Sequence, residues 1–280
     1  MGFMARTRMQ RMQGTKARIA VAAAVAAVAA TAWGVTAVVD PGHETNHQNV
    51  SRQTDDPAKG GDGDPQAPGE PGGRVPDGIA HASESGGDAV NITIDDGPDP
   101  KWTPKVLEVL KKYDVKAVFC MIGPQAKDHP DLVKKVVADG HRLCDHTMDH
   151  NTGMDKKPPA YQRQQILDAK KQIEDAAGGG AKVEYYRAPG GAFTPESRAL
   201  AAANGMRPLG WNIDTKDFSK PGVAAIVGTV KAEIGNGPTI LFHDGGGDRT
   251  QSVAALDQVL AWLKEQGRPT GFPVVTGPSA

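Results

Sequence analysis

The chain has 280 residues, a formal net charge of −1 and 23% charged residues. That balance is not the basic excess that suggests a nucleic-acid partner, and none is expected. Hydrophobic residues make up 39% of the chain, enough for one sizeable core, and there are two cysteines.

Arg6, Arg8, Arg11, Lys16 and Arg18 precede an uncharged apolar run over residues 19–39. A basic segment followed by an apolar one is the pattern of an export signal. The run is Ala-rich, long enough to span a bilayer, and has no amphipathic stripe. Residues 1–39 are therefore a signal peptide, cleaved near Ala30-Thr31-Ala32, or a retained N-terminal membrane anchor. Either way the remainder is expected outside the cytoplasm, extracellular or at the cell surface.

Residues 40–88 are rich in Gly, Pro and Asp, as in Lys59-Gly60-Gly61-Asp62-Gly63-Asp64-Pro65. Apolar side chains are too sparse there to offset ordering entropy, so a disordered linker is expected. As a flexible coil of ~50 residues it would reach roughly 40 Å. His43, His47 and His81 fall in it and read as solvated tail residues.

Residues 89–280 make one domain's worth of chain, with no internal repeat. Strands are predicted at 89–94, 117–122, 141–144, 183–186, 207–212, 239–242 and 272–276. Helices fill the gaps. Thr103 is expected to cap one that starts at Pro104, with Val106, Leu107, Val109 and Leu110 as its apolar face. Others are predicted at 131–139, at 158–177 before a triple glycine, from Thr194-Pro195 to Gly205, at 221–234 and at 250–266. Alternation of apolar strands with helices implies an α/β fold with a buried parallel sheet. Seven strands can close into a small barrel or stay open and doubly wound. Cys120 and Cys144 lie near the ends of two predicted strands. A disulfide is chemically permitted in an exported protein, and two buried thiols are the alternative.

The chemistry concentrates at strand ends. Asp95-Asp96 closes the first strand and is followed by Gly97-Pro98. Successive strand residues face opposite ways, so both acids reach one site only where the strand breaks into a turn. Two carboxylates this close stay ionised in a dry pocket only if a cation offsets them. A metal does that and divides the roles, one Asp as ligand and the other as a free base; a solvated acidic turn is the plainer reading. His146 and His150 are four apart, so a helical turn would put both imidazoles on one face. Two His and one carboxylate form a three-ligand set with open positions, the plan of a catalytic zinc site. Arg187, Asp214, Asp217 and His243 also fall at or just past strand ends, the rim where such folds carry catalysis.

Five stretches occur in order: Thr93-Ile94-Asp95-Asp96-Gly97-Pro98, His146-Thr147-Met148-Asp149-His150, Arg187-Ala188-Pro189-Gly190, Asp214-Thr215-Lys216-Asp217-Phe218 and Leu241-Phe242-His243. In these the chain resembles the polysaccharide deacetylases of the NodB-homology, carbohydrate esterase family 4 type. The resemblance covers residues 89–276. It implies a distorted (β/α)7 barrel and metal-dependent deacetylation of a polysaccharide. It implies one divalent ion, Zn2+ first with Co2+ or Ni2+ as alternatives, held by Asp96, His146 and His150. Asp95 would be the general base and His243 the general acid, with Arg187 pairing with the base and Asp217 with the acid. Asp214 is left as a strand cap. Gly190 would offer a backbone N–H to the oxyanion, and Phe218 an apolar contact for the sugar. Two departures stand out. Many members have an aromatic residue at Gly190, so an aromatic wall is expected to be missing, and Phe218 replaces a commoner Trp. The family barrel also makes the strands of Cys120 and Cys144 neighbours.

The resemblance thus implies an N-deacetylase acting on peptidoglycan or a chitin-like glycan. An O-acetyl esterase acting on a polymer such as acetylated xylan would use the same groups. A non-catalytic glycan-binding module would lack a ligand, the base or the acid, and none is missing here. A polysaccharide is the expected partner, and a monomer the expected state.

Overall fold

The computed structural model describes residues 75–277; the signal or anchor and the linker up to residue 74 lie outside the described residues. Strands and helices alternate as β1 (Val90–Asp95), α1 (Thr103–Lys112), β2 (Ala117–Met121), α2 (Gly123–Asp128), α3 (Pro130–Ala138), β3 (Arg142–Asp145), α4 (Pro159–Ala177) and β4 (Val183–Tyr186). They continue as α5 (Pro195–Ala203), β5 (Arg207–Pro208), β6 (Ile213–Asp214), α6 (Val223–Glu233), β7 (Thr239–His243), α7 (Thr250–Glu265) and β8 (Thr270–Gly271).

The sheet runs β5-β4-β3-β2-β1-β7-β6, and every pairing along it is parallel. Its two edges, β5 and β6, follow each other in the chain, joined only by residues 209–212. So short a link requires the sheet to curl back toward itself, giving a seven-stranded half-barrel. β8 pairs with the start of β1.

Side-chain alternation along β1 sets up everything that follows. Val90, Ile92 and Ile94 face the helices and join the main core with Phe119, Met121, Ile240 and Phe242. Asn91, Thr93 and Asp95 must then face the inside of the curl, and all three are buried. The inner face also carries a small apolar cluster of Val118, Cys120, Cys144, Tyr185 and Leu209. Cys120 and Cys144 are register partners on β2 and β3 and form a disulfide. Cross-linking residues that far apart stabilises the fold by roughly 3 kcal/mol, chiefly by restricting the unfolded chain.

Four local expectations need correction. The strand predicted at 207–212 is two short strands. Leu209 N–H donates to Tyr186 on one side, Gly210 N–H to Ala80, and Asn212 N–H to Thr239 of β7 on the other side, so this segment crosses the opening of the half-barrel. The strand predicted at 272–276 is absent; β8 lies just before it, and Pro273 meets Ser83 in a lone bridge. Pro has no N–H for a ladder, which confines such a segment to an edge. Thr103 is not the cap of α1. Asp99 Oδ1 accepts from the N–H groups of Lys101 and Trp102, at 2.8 and 2.9 Å, while the Thr103 hydroxyl is buried against Asp244. Thr194, by contrast, does cap α5, accepting from Ser197 N–H at 3.0 Å.

The fourth correction is the boundary. Residues 75–88 were expected in the linker, yet Ala80 is fully buried and its backbone pairs with Pro208 and Gly210. Glu84 N–H donates to Phe272 O at 2.8 Å. His81 packs against Gly210, where a Cβ would lie 2.3 Å from its Nε2; it is no solvated tail residue. This lead-in seals the open side of the curl, through backbone bonds that leave no hydrophobic period to read.

Candidate active site

The C-terminal ends of β1, β3, β4, β6 and β7 surround a cleft of about 490 Å³. Asp95, Asp96, His146, His150, Gly190, Phe218 and His243 line it, and Arg187 and Asp217 stand directly behind its wall. The sequence-predicted residues therefore converge.

Asp95 ends β1 on the inner face. The next residue takes a left-handed conformation, with Asp96 at φ 79°, and this turn swings the second carboxylate onto the same side. Gly97 leaves room for it, because a Cβ there would lie 2.3 Å from Asp244 Oδ1. His146 and His150 come together, but not on a helical turn. They lie in a loop after β3, with Thr147 at φ 69° and His150 at φ 51°. Asp145 Oδ1 accepts from Thr147 N–H at 2.7 Å, and Gln165 Oε1 from the N–H groups of Met148 and Asp149 at 3.0 Å each. These bonds hold a loop geometry that the spacing alone would assign to a helix.

Three donors converge at this corner. Asp96 Oδ1 lies 3.1 Å from His150 Nε2 and 3.6 Å from His146 Nε2. The ligand atoms of all three residues fall within 4.8 Å of one another. Asp96 Oδ1 is buried without a hydrogen-bond partner among the described residues. His146 Nδ1 faces the Arg187 carbonyl at 2.7 Å, which fixes the proton on Nδ1 and leaves the Nε2 lone pair toward Asp96. Burial lowers the His146 pKa, and Asp95 and Asp96 only partly oppose it, so the neutral ligand form is favoured. Burial alone would raise Asp96, but His150 and His146 outweigh it and hold the carboxyl well below its ordinary range. Two imidazoles and one carboxylate, whose buried oxygen has no hydrogen-bond partner among the described residues, fit a divalent metal ion.

Asp95 borders this set but is tied to Arg187 through one of its oxygens. Its Oδ1 accepts from Arg187 Nη1 at 2.6 Å, and its Oδ2 lies 3.5 Å from His146 Nε2. Arg187 is fully buried inside the curl. It also donates to Thr93 Oγ1, Leu209 O and Gly210 O at 2.9, 3.2 and 2.9 Å. A buried guanidinium satisfied this fully is a rigid support rather than a rim ion pair.

On the opposite side His243 ends β7. Its Nδ1 meets Asp217 Oδ1 at 2.7 Å, and Asp217 Oδ2 accepts from His243 N–H at 3.0 Å. Thr215 Oγ1 adds a third bond to this carboxylate at 3.2 Å. Burial would lower the His243 pKa, but Asp217 outweighs it and holds the imidazole above its ordinary value, with Nε2 left for the cleft. Asp244, the next residue, turns away to accept from Thr103 Oγ1 at 2.6 Å, and burial pushes its carboxyl up to about 7.

The expectation of a missing aromatic wall also needs correction. Gly190 sits at φ 61°, and a Cβ there would come within 3.2 Å of Thr152. Trp211 lines the cleft together with Phe218, whose ring meets His243 edge-on at 5.2 Å between centroids. Asp214 accepts from Lys216 N–H at 2.9 Å, as a turn cap does, and its edge also lines the cleft. Sequence reasoning missed Trp211, Thr93 and Arg249. Thr93 was accessible, since it precedes Asp95 by two on one strand face. Trp211 lay inside a mispredicted strand, and Arg249 follows a glycine run that carries no periodic signal.

Comparison with known proteins fits this geometry. A family model described as polysaccharide deacetylase matches residues 82–209. A peptidoglycan-N-acetylglucosamine deacetylase of Bacillus cereus is 38% identical over 180 residues, spanning 64% of this chain and 83% of its own. A chitooligosaccharide deacetylase of Sinorhizobium fredii is 36% identical over 195 residues, spanning 66% and 90%. Among solved structures, a peptidoglycan N-acetylglucosamine deacetylase crystallised with a hydroxamate-type benzamide superimposes with a TM-score of 0.64 at 29% identity, over 70% of this chain and 90% of that one.

Proposed function

The chain belongs to the polysaccharide deacetylase family, and from that premise we propose that it hydrolyses N-acetyl groups on aminosugars of peptidoglycan or a chitin-like glycan. The observation that carries this is the convergence on one cleft of the Asp96–His146–His150 donor set, the Asp95–Arg187 pair and the His243–Asp217 pair. Relatives named for both substrates support N-deacetylation over ester cleavage.

A divalent ion held by Asp96, His146 and His150, which we take to be Zn2+ with Co2+ or Ni2+ able to replace it, would polarise the acetyl carbonyl and acidify a water. Asp95 Oδ2 accepts the proton of the attacking water, while Arg187 fixes Oδ1 and so aims the free oxygen. The Gly190 backbone N–H meets the oxyanion of the tetrahedral adduct. His243 Nε2 gives its proton to the sugar nitrogen as the C–N bond breaks, and acetate and a free amine leave. An amine must be protonated to depart, so a His243 held protonated by Asp217 suits amide hydrolysis. Each proton transfer contributes about 10²–10⁴ in rate.

We further propose that the enzyme works outside the cytoplasm, as a monomer. The basic and then apolar N-terminal segment supports export, and the Cys120–Cys144 bond is of a kind found in oxidising compartments. With an anchor retained, the enzyme would work on the wall near its own membrane.

Acetate release decides the function, measured on N-acetylglucosamine oligomers, peptidoglycan and acetylated xylan. We expect turnover of the N-acetyl glycans, and loss of kcat by about 10²–10⁴ in Asp95→Asn with metal content preserved. Efficient turnover of xylan with N-acetyl glycans untouched would make the enzyme an esterase. Loss of metal in Asp95→Asn would mean that the two aspartates exchange roles.

A further inference from the structure

The wall of the cleft on the Asp96 side carries a cation that the mechanism leaves unused. Arg249 is 4% exposed and lines the cleft. Its Nε donates to Gly245 O at 2.6 Å, and this is its one side-chain hydrogen bond among the described residues. The site's carboxylates are engaged elsewhere. Asp95 pairs with Arg187, Asp217 with His243, Asp96 with the two imidazoles, and Asp214 caps its own turn next to Lys216. Asp244 faces Thr103. Among the described residues, the Nη groups of Arg249 are therefore left with no anionic partner. These N–H groups are not among the buried polar atoms cut off from water, so they are reachable from the cleft and open to a ligand there.

The backbone is shaped to keep that guanidinium open. Residues 245–247 are all glycine. A Cβ on Gly245 would lie 2.1 Å from Asp96 O, so the loop can close on the metal corner only without a side chain there. A Cβ on Gly246, at φ +73°, would sit 3.1 Å from Arg249 Nη2 and 3.3 Å from Asp96 Oδ2. A side chain at Gly246 would stand over the fork and beside the donor set. The missing Cβ thus leaves a bare face on which a planar anion can reach the guanidinium within the cleft that takes the acetylated sugar.

We propose that Arg249 is a specificity-determining residue that binds a carboxylate of the polymer, carried by a neighbour of the sugar that loses its acetyl group. A rigid fork of N–H donors matches a carboxylate bidentately, and a neutral hydroxyl far less well. The inference rests on the deacetylase reading and narrows it from aminosugar glycans in general to anionic ones. Two sources carry the required chemistry: an acidic ether substituent on the glycan itself, as on a muramic acid, or the peptide attached to it. Arg249 would act through affinity for the substrate, and the proton transfers would remain those of Asp95 and His243.

The test compares three substrates: neutral N-acetylglucosamine oligomers, glycan strands stripped of peptide so that the ether carboxylate is free, and peptide-bearing strands. Each anionic sample is also run after its carboxylates are converted to amides. For the wild-type enzyme we expect kcat/KM at least about tenfold higher on an anionic sample than on its amidated form, the preference shrinking with added salt. Arg249→Gln should remove that preference mainly through KM, and Arg249→Lys, which keeps the charge, should retain part of it. Selective loss on stripped strands assigns the ether carboxylate; selective loss confined to peptide-bearing strands assigns the peptide. Equal losses on neutral and anionic glycans in Arg249→Gln would overturn the proposal, as would a wild-type enzyme indifferent to amidation, which needs no variant to fold. Metal content and melting temperature of both variants are measured alongside. If wild type releases acetate from none of the three samples, the deacetylase reading itself fails, which is a different result.

Discussion

The two histidine corners of the cleft reach the same rim by different means. His243 is the last residue of β7, and its partner Asp217 is fully buried and also binds its backbone N–H. His146 and His150 sit in a loop with two left-handed residues, and the His150 side chain is 35% exposed. The strand corner is rigid without a ligand, because each polar atom of Asp217 has a partner in the protein. The loop corner brings three donors together around a buried oxygen with no hydrogen-bond partner. The first is built to position a proton, the second to be completed by an ion.

The largest effect should come from the loop corner. His146→Ala leaves one carboxylate and one partly exposed imidazole, a much weaker set. We expect metal content to fall to near zero and acetate release to drop by roughly 10³-fold or more, since the ion supplies both water activation and carbonyl polarisation. Elemental analysis alongside the assay checks this. A variant that keeps one equivalent of metal and most of its activity would show that the ion is held elsewhere. Chelation of the wild type should have the same effect, reversed by zinc or cobalt.

A smaller and more diagnostic effect is expected at the strand corner. Asp217 holds the His243 pKa up against burial. A proton donor is active below its pKa, so His243 governs the alkaline limb of the pH–rate profile. Asp217→Asn removes the larger raising influence, leaving burial, which lowers the pKa, against the weaker pull of Asp95 and Asp96. The alkaline limb should therefore move to lower pH, with kcat down about tenfold to a hundredfold at neutral pH and metal content intact. An unmoved limb would remove His243 from the donor role. The two corners are distinguished by this split: one loses metal, the other shifts the limb.

The same contrast explains what was legible in the sequence. Strand-borne groups follow the period of two, so Asp95, Arg187 and His243 could be placed on one rim from the apolar runs before them. Loop-borne groups have no period. The spacing of His146 and His150 reads as a helical turn, while the actual loop is imposed by Asp145 and Gln165, a side chain on α4. Trp211 and the lead-in around Ala80 were hidden for a related reason: both belong to the seam where the half-barrel stays open, and that seam is held by isolated backbone bonds. Arg187 was visible as a partner for Asp95. Its burial was not, because the bonds to Thr93, Leu209 and Gly210 that make burial tolerable depend on the curl of the whole sheet.

The smallest effect expected lies at the edge of the strand corner, where Phe218 is 47% exposed and touches the His243 ring edge-on. An exposed ring contributes little to folding, so Phe218→Ala should change stability by no more than about 0.5 kcal/mol. Its apolar face instead offers a surface for a sugar beside the reacting one, an interaction of about 0.5–1.5 kcal/mol. That corresponds to a rise in KM of roughly two- to tenfold on long oligomers, and less on short ones that do not reach the ring. Because Asp217 fixes His243 from behind, kcat should stay within about twofold. A fall in kcat with KM unchanged would instead mean that the ring holds the imidazole in place, and that the strand corner is less self-sufficient than its hydrogen bonds imply. Phe218→Trp sharpens the distinction: a larger face should lower KM on long oligomers if stacking is the role, and should leave it unchanged if the ring only steadies His243.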